Sequence, residues 1–554
     1  MKKKKLPVRI GAVLLSATLV FGNVAPVLAS ERTEETESVE MVETTEETER
    51  VEKEETTEET TEIVEEFTKL PETQEESDAT DETEEVDEKD VLEMVSSGVT
   101  STSASDFSYI TLYDETIEIT KYNGSDTEVV MPEEIDEKTV TSIGDGAFSG
   151  CSSLSSIELP SGLTSIGECA FEGCSSLSTI NIPSGVTSIG NRTFEGCSSL
   201  TSINIPSGVT SIGERAFWDC SSLSSIELPS GVTSIGASAF YDCYSLSSIN
   251  IPNGVTSIGR CAFSGCSNLS TINIPKGVTS IGEYAFDGCS SLSSIELPSG
   301  VTSIGNFAFY GCSSLTSINI PSGVTSIGGE AFSDCSSLSS IELPSGVTSI
   351  ETRTFSGCSS LTSINIPSGV TSIGEYAFEG CSSLSNINIP SGVTAIGEYT
   401  FSGCSNLNNI ELPSGITSIG ARAFYGCSSL STINIPNGVT NIGEYAFWYC
   451  SSLTSIELSK GLTSIDLSSG VTSIGRCAFS GCSNLSSIEL PSGVTSIGAG
   501  AFEGCSSLTS INIPSGVTSI GEYAFSDCSS LSSIELPSGV TSIGRCAFSG
   551  CSNL

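Results

Sequence analysis

The sequence predicts a solenoid of about 18 turns, with parallel β-strands on one face and short extended and helical or 3₁₀ turns on the other. Three observations predict it: a 23-residue period, apolar residues at strand spacing within each unit, and a charge pattern that suits stacking. The unit recurs from residue 141 to residue 554, and its phenylalanine marks 18 turns from Phe148 to Phe548. Such units cannot enclose a core alone, so each buries its apolar side against the next.

The segment 154–174 shows how one turn is built. Two apolar residues stand two positions apart, which places both on one face of a strand, and Pro160 ends that strand because proline cannot donate to a ladder. A second short extended stretch and a helical or 3₁₀ turn complete the unit. The residues predicted to fill the core of the first turns are Ile157, Leu159, Phe171, Cys174, Phe194 and Cys197.

The residue between the two strand anchors is glutamate or asparagine, as in Glu158, Asn181, Asn204 and Glu227. No glutamate is followed by another in the next regular unit. In an in-register parallel stack these side chains lie directly above one another, where like charges repel. The alternation therefore favours stacking in register.

The residue before each repeat cysteine is glycine or aspartate, as in Gly173 and Asp219, with Tyr449 as the exception. Both residue types tolerate the left-handed backbone region better than most. We predict a left-handed conformation at this position of every turn.

One interval breaks the period. Phe447 and Phe479 are 32 residues apart, nine more than the repeat. Residues 458–467 look like a partial duplication, and Ser459 takes the place of the strand-ending proline. We expect a bulge or kink of the stack at this insertion.

The N-terminus is typical of an export signal. A basic stretch from Lys2 to Arg9 precedes an apolar run of about twelve residues, too short to span a membrane, and a small-residue cleavage site ends at Ala29. Residues 30–95 are rich in glutamate and threonine, so we expect a disordered acidic linker. We therefore predict a signal peptide over residues 1–29, and no membrane insertion after its cleavage.

Residues 96–140 differ from both neighbours. Alternating apolar residues predict short strands, with Asn123–Gly124 as a turn between them. We expect this lead-in to cover the first turn of the solenoid, which occupies residues 141–554. The repeat reaches Leu554 without a recognisable C-terminal cap.

Charge and composition exclude several functions. The net charge of −46 divides into +5 for residues 1–30, −24 for residues 31–94 and −27 for residues 95–554. Nucleic acid is therefore not an expected partner, because phosphate backbones require a basic surface. The sequence contains no histidine, so the common general base and metal ligand is missing. We predict no enzyme activity, no catalytic residue and no cofactor.

Eighteen of the 22 cysteines occupy one repeat position. Equivalent cysteines in adjacent turns would have Cβ atoms about 4.8 Å apart, wider than the roughly 3.8 Å of a disulfide. We predict a column of buried thiols. The other four, Cys169, Cys261, Cys477 and Cys546, are too widely spaced to form a metal site.

Variation between units concentrates around the phenylalanine, where aromatic residues and arginines recur. Such residues are common anchors of protein interfaces, so we predict a binding edge; the alternative is that the rings only shield adjacent turns. The candidate edge residues are Trp218, Tyr241, Tyr284, Phe307, Tyr310, Tyr376, Tyr399, Tyr425, Tyr445, Trp448 and Tyr523.

The unit Leu-x-x-Ile-x-Leu-Pro-x-Gly-Val-Thr-x-Ile-Gly-x-x-Ala-Phe-x-x-Cys strongly resembles the BspA-like, or Treponema pallidum type, leucine-rich repeat. The resemblance covers about three quarters of the chain, and the segment Tyr122–Pro132 is similar to that family's lead-in. It implies a leucine-rich-repeat solenoid on an exported or surface protein. It also implies adhesion to extracellular protein or glycan ligands, among them the matrix proteins fibronectin and fibrinogen.

Two hypotheses follow. The first is a secreted or cell-surface adhesin or scaffold that presents a multivalent repeat surface to host or microbial macromolecules. The second is a purely structural spacer that projects another domain. A carboxylate-based glycosidase is disfavoured, because such an enzyme needs two acids paired across a cleft, whereas here the acids recur along a repeat.

Overall fold

The computed structural model describes residues 101–457 and 473–554. Each 23-residue unit forms one turn, and successive turns pair through parallel strands in register; Ser225, for example, lies between Ser202 and Ser248. The predicted solenoid is confirmed. The predicted signal peptide and acidic linker lie outside the described residues.

A small sheet precedes the repeats. β1 (Phe107–Thr111) is antiparallel to β2 (Ile117–Tyr122), β2 is parallel to β5 (Lys138–Ile143), and the end of β5 pairs with the first repeat at Ser165–Ile166. The rings of Phe107 and Tyr122 pack on Phe148, the first repeat phenylalanine. The elements are a 3₁₀ turn at Ala104–Asp106, β1 (Phe107–Thr111), β2 (Ile117–Tyr122), β3 (Glu128–Val130), β4 (Glu134–Ile135) and β5 (Lys138–Ile143).

The segment Asn123–Gly124 connects β2 to β3, which belong to different sheets. It therefore lies between two strands, as the sequence predicts, but these strands do not pair with each other. β3 instead pairs with Ser156–Glu158 and so begins the first row of repeat strands. The difference arises because the repeat strand offers β3 a parallel partner in register.

Two rows of short strands run along the array. In a typical strand of each row, the isoleucine points inward and the residue before it is exposed or half-exposed, as in Ser225–Glu227 and Ser234–Ile235; at the end of the array Ile543 is 50% exposed. The first row consists of Ser156–Glu158, Thr179–Ile180, Ser202–Asn204, Ser225–Glu227, Ser248–Asn250, Thr271–Asn273, Ser317–Asn319, Ser340–Glu342, Ser363–Asn365, Asn386–Asn388, Asn409–Glu411, Thr432–Asn434, Ser455–Glu457, Ser487–Glu489, Ser510–Asn512 and Ser533–Glu535. The second consists of Ser165–Ile166, Ser211–Ile212, Ser234–Ile235, Ser280–Ile281, Ser303–Ile304, Ser326–Ile327, Ser349–Ile350, Ser372–Ile373, Ala395–Ile396, Ser418–Ile419, Asn441–Ile442, Ser473–Ile474, Ser496–Ile497, Ser519–Ile520 and Ser542–Ile543.

The core is a column of stacked phenylalanines. Phe171 and Phe194 lie 5.5 Å apart between ring centroids, with 2° between their planes, and both are fully buried. Cys174, Cys197 and Ile157 are also buried, whereas Leu159 is only partly buried against the core. Consecutive turns therefore hide their apolar residues against one another.

The turn beside each phenylalanine contains two left-handed residues. The residue before each cysteine has positive φ, including Asp219 (55°) and the exceptional Tyr449 (57°), which confirms that prediction. A second left-handed position, two residues before the phenylalanine, was not predicted; Arg215 there has φ 57°. Because left-handed residues interrupt the segment, it forms turns with 3₁₀-type bonds, such as Cys174 N–H to Phe171 O (3.1 Å), and not a continuous helix.

The cysteine column is bonded as well as buried. The Cys174 Sγ donates to the Phe148 carbonyl of the preceding turn at 3.2 Å, and the bond repeats along the array to Cys551. Burial raises the pKa of Cys174 to about 12. The thiol is thus a small core group that satisfies a carbonyl.

The insertion at residues 458–467, where the sequence predicts a bulge or kink, lies outside the described residues. On its two sides the stack continues: Phe447 and Phe479 stack at 5.7 Å, and the Cys482 Sγ donates to the Phe447 carbonyl at 3.2 Å. The strand residues Glu457 and Glu489 pair across it, so here two glutamates are neighbours by backbone register. The described turns on either side of the 32-residue interval therefore pair directly with each other.

The unpredicted left-handed position allows a direct test. Ser238 has φ 55°, a conformation that disfavours side chains by roughly 1–2 kcal/mol. We expect Ser238→Gly to raise the free energy of unfolding by about 0.5–1 kcal/mol, measured by urea denaturation. Ser234→Gly, in a strand of the same turn, should lower it by about 0.5–1 kcal/mol; equal effects of the two changes would refute the left-handed assignment.

Candidate functional site

The variable side chains form two columns beside the core phenylalanines, which we call the aromatic edge. One column holds the residue two before each phenylalanine, and the other holds the residue after it. The predicted edge residues divide between them as Tyr284, Phe307, Tyr376, Tyr399, Tyr445 and Tyr523 in the first column and Trp218, Tyr241, Tyr310, Tyr425 and Trp448 in the second. All are half-buried except Tyr523, which is 37% exposed.

The largest cluster of the edge is a ladder over five consecutive turns. Arg353 lies over Tyr376 at 4.5 Å, and Tyr376 stacks on Tyr399 at 4.5 Å. The Arg422 guanidinium then lies between Tyr399 (5.2 Å) and Tyr445 (4.8 Å) and donates a hydrogen bond to the Tyr399 hydroxyl. Cations and aromatic rings therefore form one continuous column, in the order Arg, Tyr, Tyr, Arg, Tyr.

The ladder widens at its C-terminal end. Trp448 contacts Tyr445 at 4.8 Å and Tyr425 at 5.2 Å, and it stacks on Tyr449 at 5.0 Å. Tyr449 is 52% exposed and occupies the left-handed position where the other turns carry glycine or aspartate. A large exposed ring in a strained conformation is a feature that often marks a functional surface.

Two smaller clusters lie nearer the N-terminus. Trp218 packs on Tyr241 at 4.4 Å, with Arg215 over its ring at 4.4 Å. Further along, Tyr284 stacks on Phe307 at 4.5 Å, and Phe307 contacts Tyr310 at 5.9 Å. Tyr523 makes no ring contact within the described ranges, so the structure brings ten of the eleven candidates together in three clusters.

These contacts explain why bulky residues occupy the left-handed column. The left-handed conformation costs each non-glycine residue there roughly 1–2 kcal/mol. Each contact between two rings stabilises the fold by about 0.5–1.5 kcal/mol. The ring faces are used between turns, as the shielding alternative expects, while the side chains stay only half-buried. The edge is therefore a pre-organised surface, and its role in binding stays a prediction.

Carboxylates beside the edge were missed by the sequence reasoning. Asp219 and Asp242 stand at the left-handed position, where glycine predominates, and that substitution was the available signal. Burial raises the pKa of both, and that of Asp287 as well. Burial and a hydrogen bond to Asp242 raise the pKa of Tyr244 to about 12.

The strand face is chemically different. Its outward residues are serine, threonine, asparagine and glutamate, all largely exposed, as in Ser225 and Glu227. A shallow depression lies between Asn409–Leu412 and Thr432–Asn434. This face offers hydrogen bonds and negative charge but no aromatic anchor.

The cysteines outside the column do not assemble. Cys169, Cys261 and Cys477 are half-buried and Cys546 is exposed. Within residues 101–457 and 473–554, no three cysteine, aspartate or glutamate side chains are arranged to hold a metal ion. The same ranges contain no helix of sufficient length and hydrophobicity to cross a bilayer.

These features define a repeat protein of the leucine-rich type, and comparison with known proteins places it within that class. The model for the BspA type leucine rich repeat region matches residues 127–246, 233–362, 371–469 and 459–554. The chain therefore belongs to the BspA-type leucine-rich-repeat family. Comparison with curated protein sequences gave no match.

Solved structures agree on the fold. A leucine-rich repeat protein from Bacteroides ovatus is 31% identical over 74% of this chain and 94% of its own, with a TM-score of 0.53. A leucine rich cell surface protein from Faecalibacterium prausnitzii is 31% identical over 65% of this chain and 95% of its own (TM-score 0.38). The Treponema pallidum leucine-rich-repeat protein is 31% identical over 43% and 91% (TM-score 0.32). Leucine-rich-repeat solenoids are typically non-enzymatic and generally bind protein ligands.

Proposed function

We propose that this chain is a secreted or cell-surface binding protein, an adhesin or scaffold that presents a multivalent surface to host or microbial macromolecules. The observation that carries the proposal is the clustering of aromatic and arginine side chains along one edge of a rigid stack. Aromatic residues and arginine dominate the binding energy of protein interfaces. Export rests on the N-terminal signal pattern.

Repetition supports a multivalent mode of binding. The three clusters lie on one edge of the array, at turns 217–240, 286–309 and 355–447. When one cluster holds a ligand, the next meets a second ligand site at high effective concentration, so weak contacts combine into avidity. Matrix proteins such as fibronectin and fibrinogen, which the family resemblance implies as ligands, are the ones we propose first.

A binding array tests the proposal. The purified chain is applied to immobilised fibronectin, fibrinogen, mucins and bacterial glycans, and we expect saturable binding to at least one. Alanine at Tyr376, Tyr399 and Tyr445 should abolish most of it, whereas glutamine at the strand-face Glu342 and Glu411 should not.

Comparing the tyrosine and glutamate variants also shows which face of the solenoid binds the ligand. Loss of binding only with the glutamate variants would move the site to the strand face. Absence of binding to every ligand would contradict the proposal and leave the structural spacer. Circular dichroism and the urea midpoint serve as controls that each variant keeps the solenoid.

A further inference from the structure

The cluster around Trp218 combines rings with carboxylates. Asp219 and Asp242 directly follow Trp218 and Tyr241, and Asp287 lies in the column of those rings two turns beyond Tyr241. Asp242 and Asp287 are half-buried, whereas Asp219 is exposed. Rings and acids therefore share one surface across four turns.

The positive charges nearby are already paired. Arg215 lies 3.8 Å from Glu214 and Arg260 lies 3.4 Å from Glu283. None of the three aspartates forms an ion pair within the described part of the chain, where the five ion pairs involve other residues. The surface thus has a local excess of three negative charges.

Hydroxyl and carboxylate groups surround Tyr241 and Tyr244. The Ser264 hydroxyl donates to Asp287 at 3.2 Å. Burial, together with the charges of Asp242 and Asp287, raises the pKa of the Tyr241 hydroxyl, with which Ser264 forms a hydrogen bond. Tyr244 is 45% exposed, and no other turn carries a large side chain at its position. An exposed phenol therefore adjoins the carboxylates.

We propose that the surface formed by Trp218, Asp219, Tyr241, Asp242, Tyr244 and Asp287 binds an arginine- or lysine-bearing segment of a protein partner. The inference rests on the proposed binding function and names the chemistry of its partner. Carboxylates accept charge-assisted hydrogen bonds from guanidinium and ammonium groups, and the exposed Tyr244 ring attracts cations. A basic segment also neutralises the three charges that the chain leaves unpaired.

The two tryptophans of the chain provide a local reporter. In the full chain carrying Trp448→Phe, Trp218 is the only tryptophan, so selectively excited tryptophan emission reports on this surface and the acidic N-terminal segment contributes none of it. We expect hexa-arginine, titrated at about 150 mM salt, to produce a saturable change in Trp218 emission. Hexa-glutamate should produce none.

Two charge-matched triple variants locate the binding. Asp219→Asn, Asp242→Asn and Asp287→Asn together should raise the dissociation constant at least about tenfold; asparagine keeps the left-handed conformation accessible. Glu227→Gln, Glu296→Gln and Glu342→Gln remove the same charge from the strand face and should change it by less than about twofold.

Two outcomes would overturn the inference. One is the absence of a saturable signal with hexa-arginine. The other is equal weakening of binding by both triple variants, which would show that hexa-arginine responds only to the net negative charge of the chain. Tyr244→Ser, which restores the residue of most other turns, should weaken binding without altering the fold. Binding to matrix proteins and glycans is measured separately. If hexa-arginine does not bind, the proposed function still stands. If no matrix protein or glycan binds, the hexa-arginine result can still be interpreted by itself.

Discussion

Replacing Phe309 by alanine is expected to lower the free energy of unfolding by about 3–5 kcal/mol. Phe309 is fully buried and stacks at 5.4 Å on both Phe286 and Phe332. The adjacent turns cannot collapse into the cavity, because their backbones are held in register by ladder hydrogen bonds. The loss should therefore lie toward the upper part of the range for a buried phenylalanine.

Phe307→Ala is the matched control, since it removes the same side chain from the same turn. Phe307 is half-buried on the edge, and its contacts are with Tyr284 and Tyr310. We expect Phe307→Ala to lower the free energy of unfolding by about 1 kcal/mol. Urea denaturation combined with hydrogen exchange of residues 286–332 measures both, because repeat arrays can unfold locally. A comparable loss for the two variants would contradict the assignment of core and edge.

Alkaline pH is expected to destabilise the array steeply. Burial holds the pKa of the column thiols above the usual 9.0, at about 12 for Cys174 and Cys528. Below pH 9 both folded and unfolded thiols keep their protons, so the stabilising contribution is fully present. Between pH 9 and about 12 the unfolded thiols ionise first, which favours unfolding by about 1.4 kcal/mol per pH unit for each thiol exposed.

The measurement is the urea midpoint as a function of pH, which should be level from about pH 6 to 8 and fall sharply above pH 9. Tyrosines also titrate in this range, so a variant separates the two contributions. Alanine at Cys289, Cys312 and Cys335 should reduce the pH dependence of the free energy of unfolding by about 4 kcal/mol per pH unit when the central turns unfold together. An unchanged slope would show that the thiols are not responsible.

The solenoid could be predicted from the sequence because its determinants are local and repeated. Strand spacing, the terminating proline and the Glu/Asn alternation each specify one feature of a turn, and repetition fixes the register. The left-handed position before the cysteine was visible because glycine and aspartate occur there. The second left-handed position was hidden, because arginine, tyrosine and cysteine there carry no conformational signal of their own.

The candidate site was only partly predictable. The residue types of the edge identified its aromatic members, but a sequence does not show that Arg422 lies between Tyr399 and Tyr445 or that Asp242 adjoins Tyr244. Those contacts depend on which side chains share a column at one-turn spacing. Once the register is known, residues 23 apart become neighbours, and the three clusters can be read from the sequence.

The interval from Phe447 to Phe479 has a practical consequence. The aromatic stack, the thiol-to-carbonyl bond and the strand pairing all persist across 32 residues, so nine extra residues leave the coil on either side intact. The segment that follows Glu457 is thus a natural place to graft a foreign peptide. A tag or epitope placed there should leave the turns on either side paired with each other.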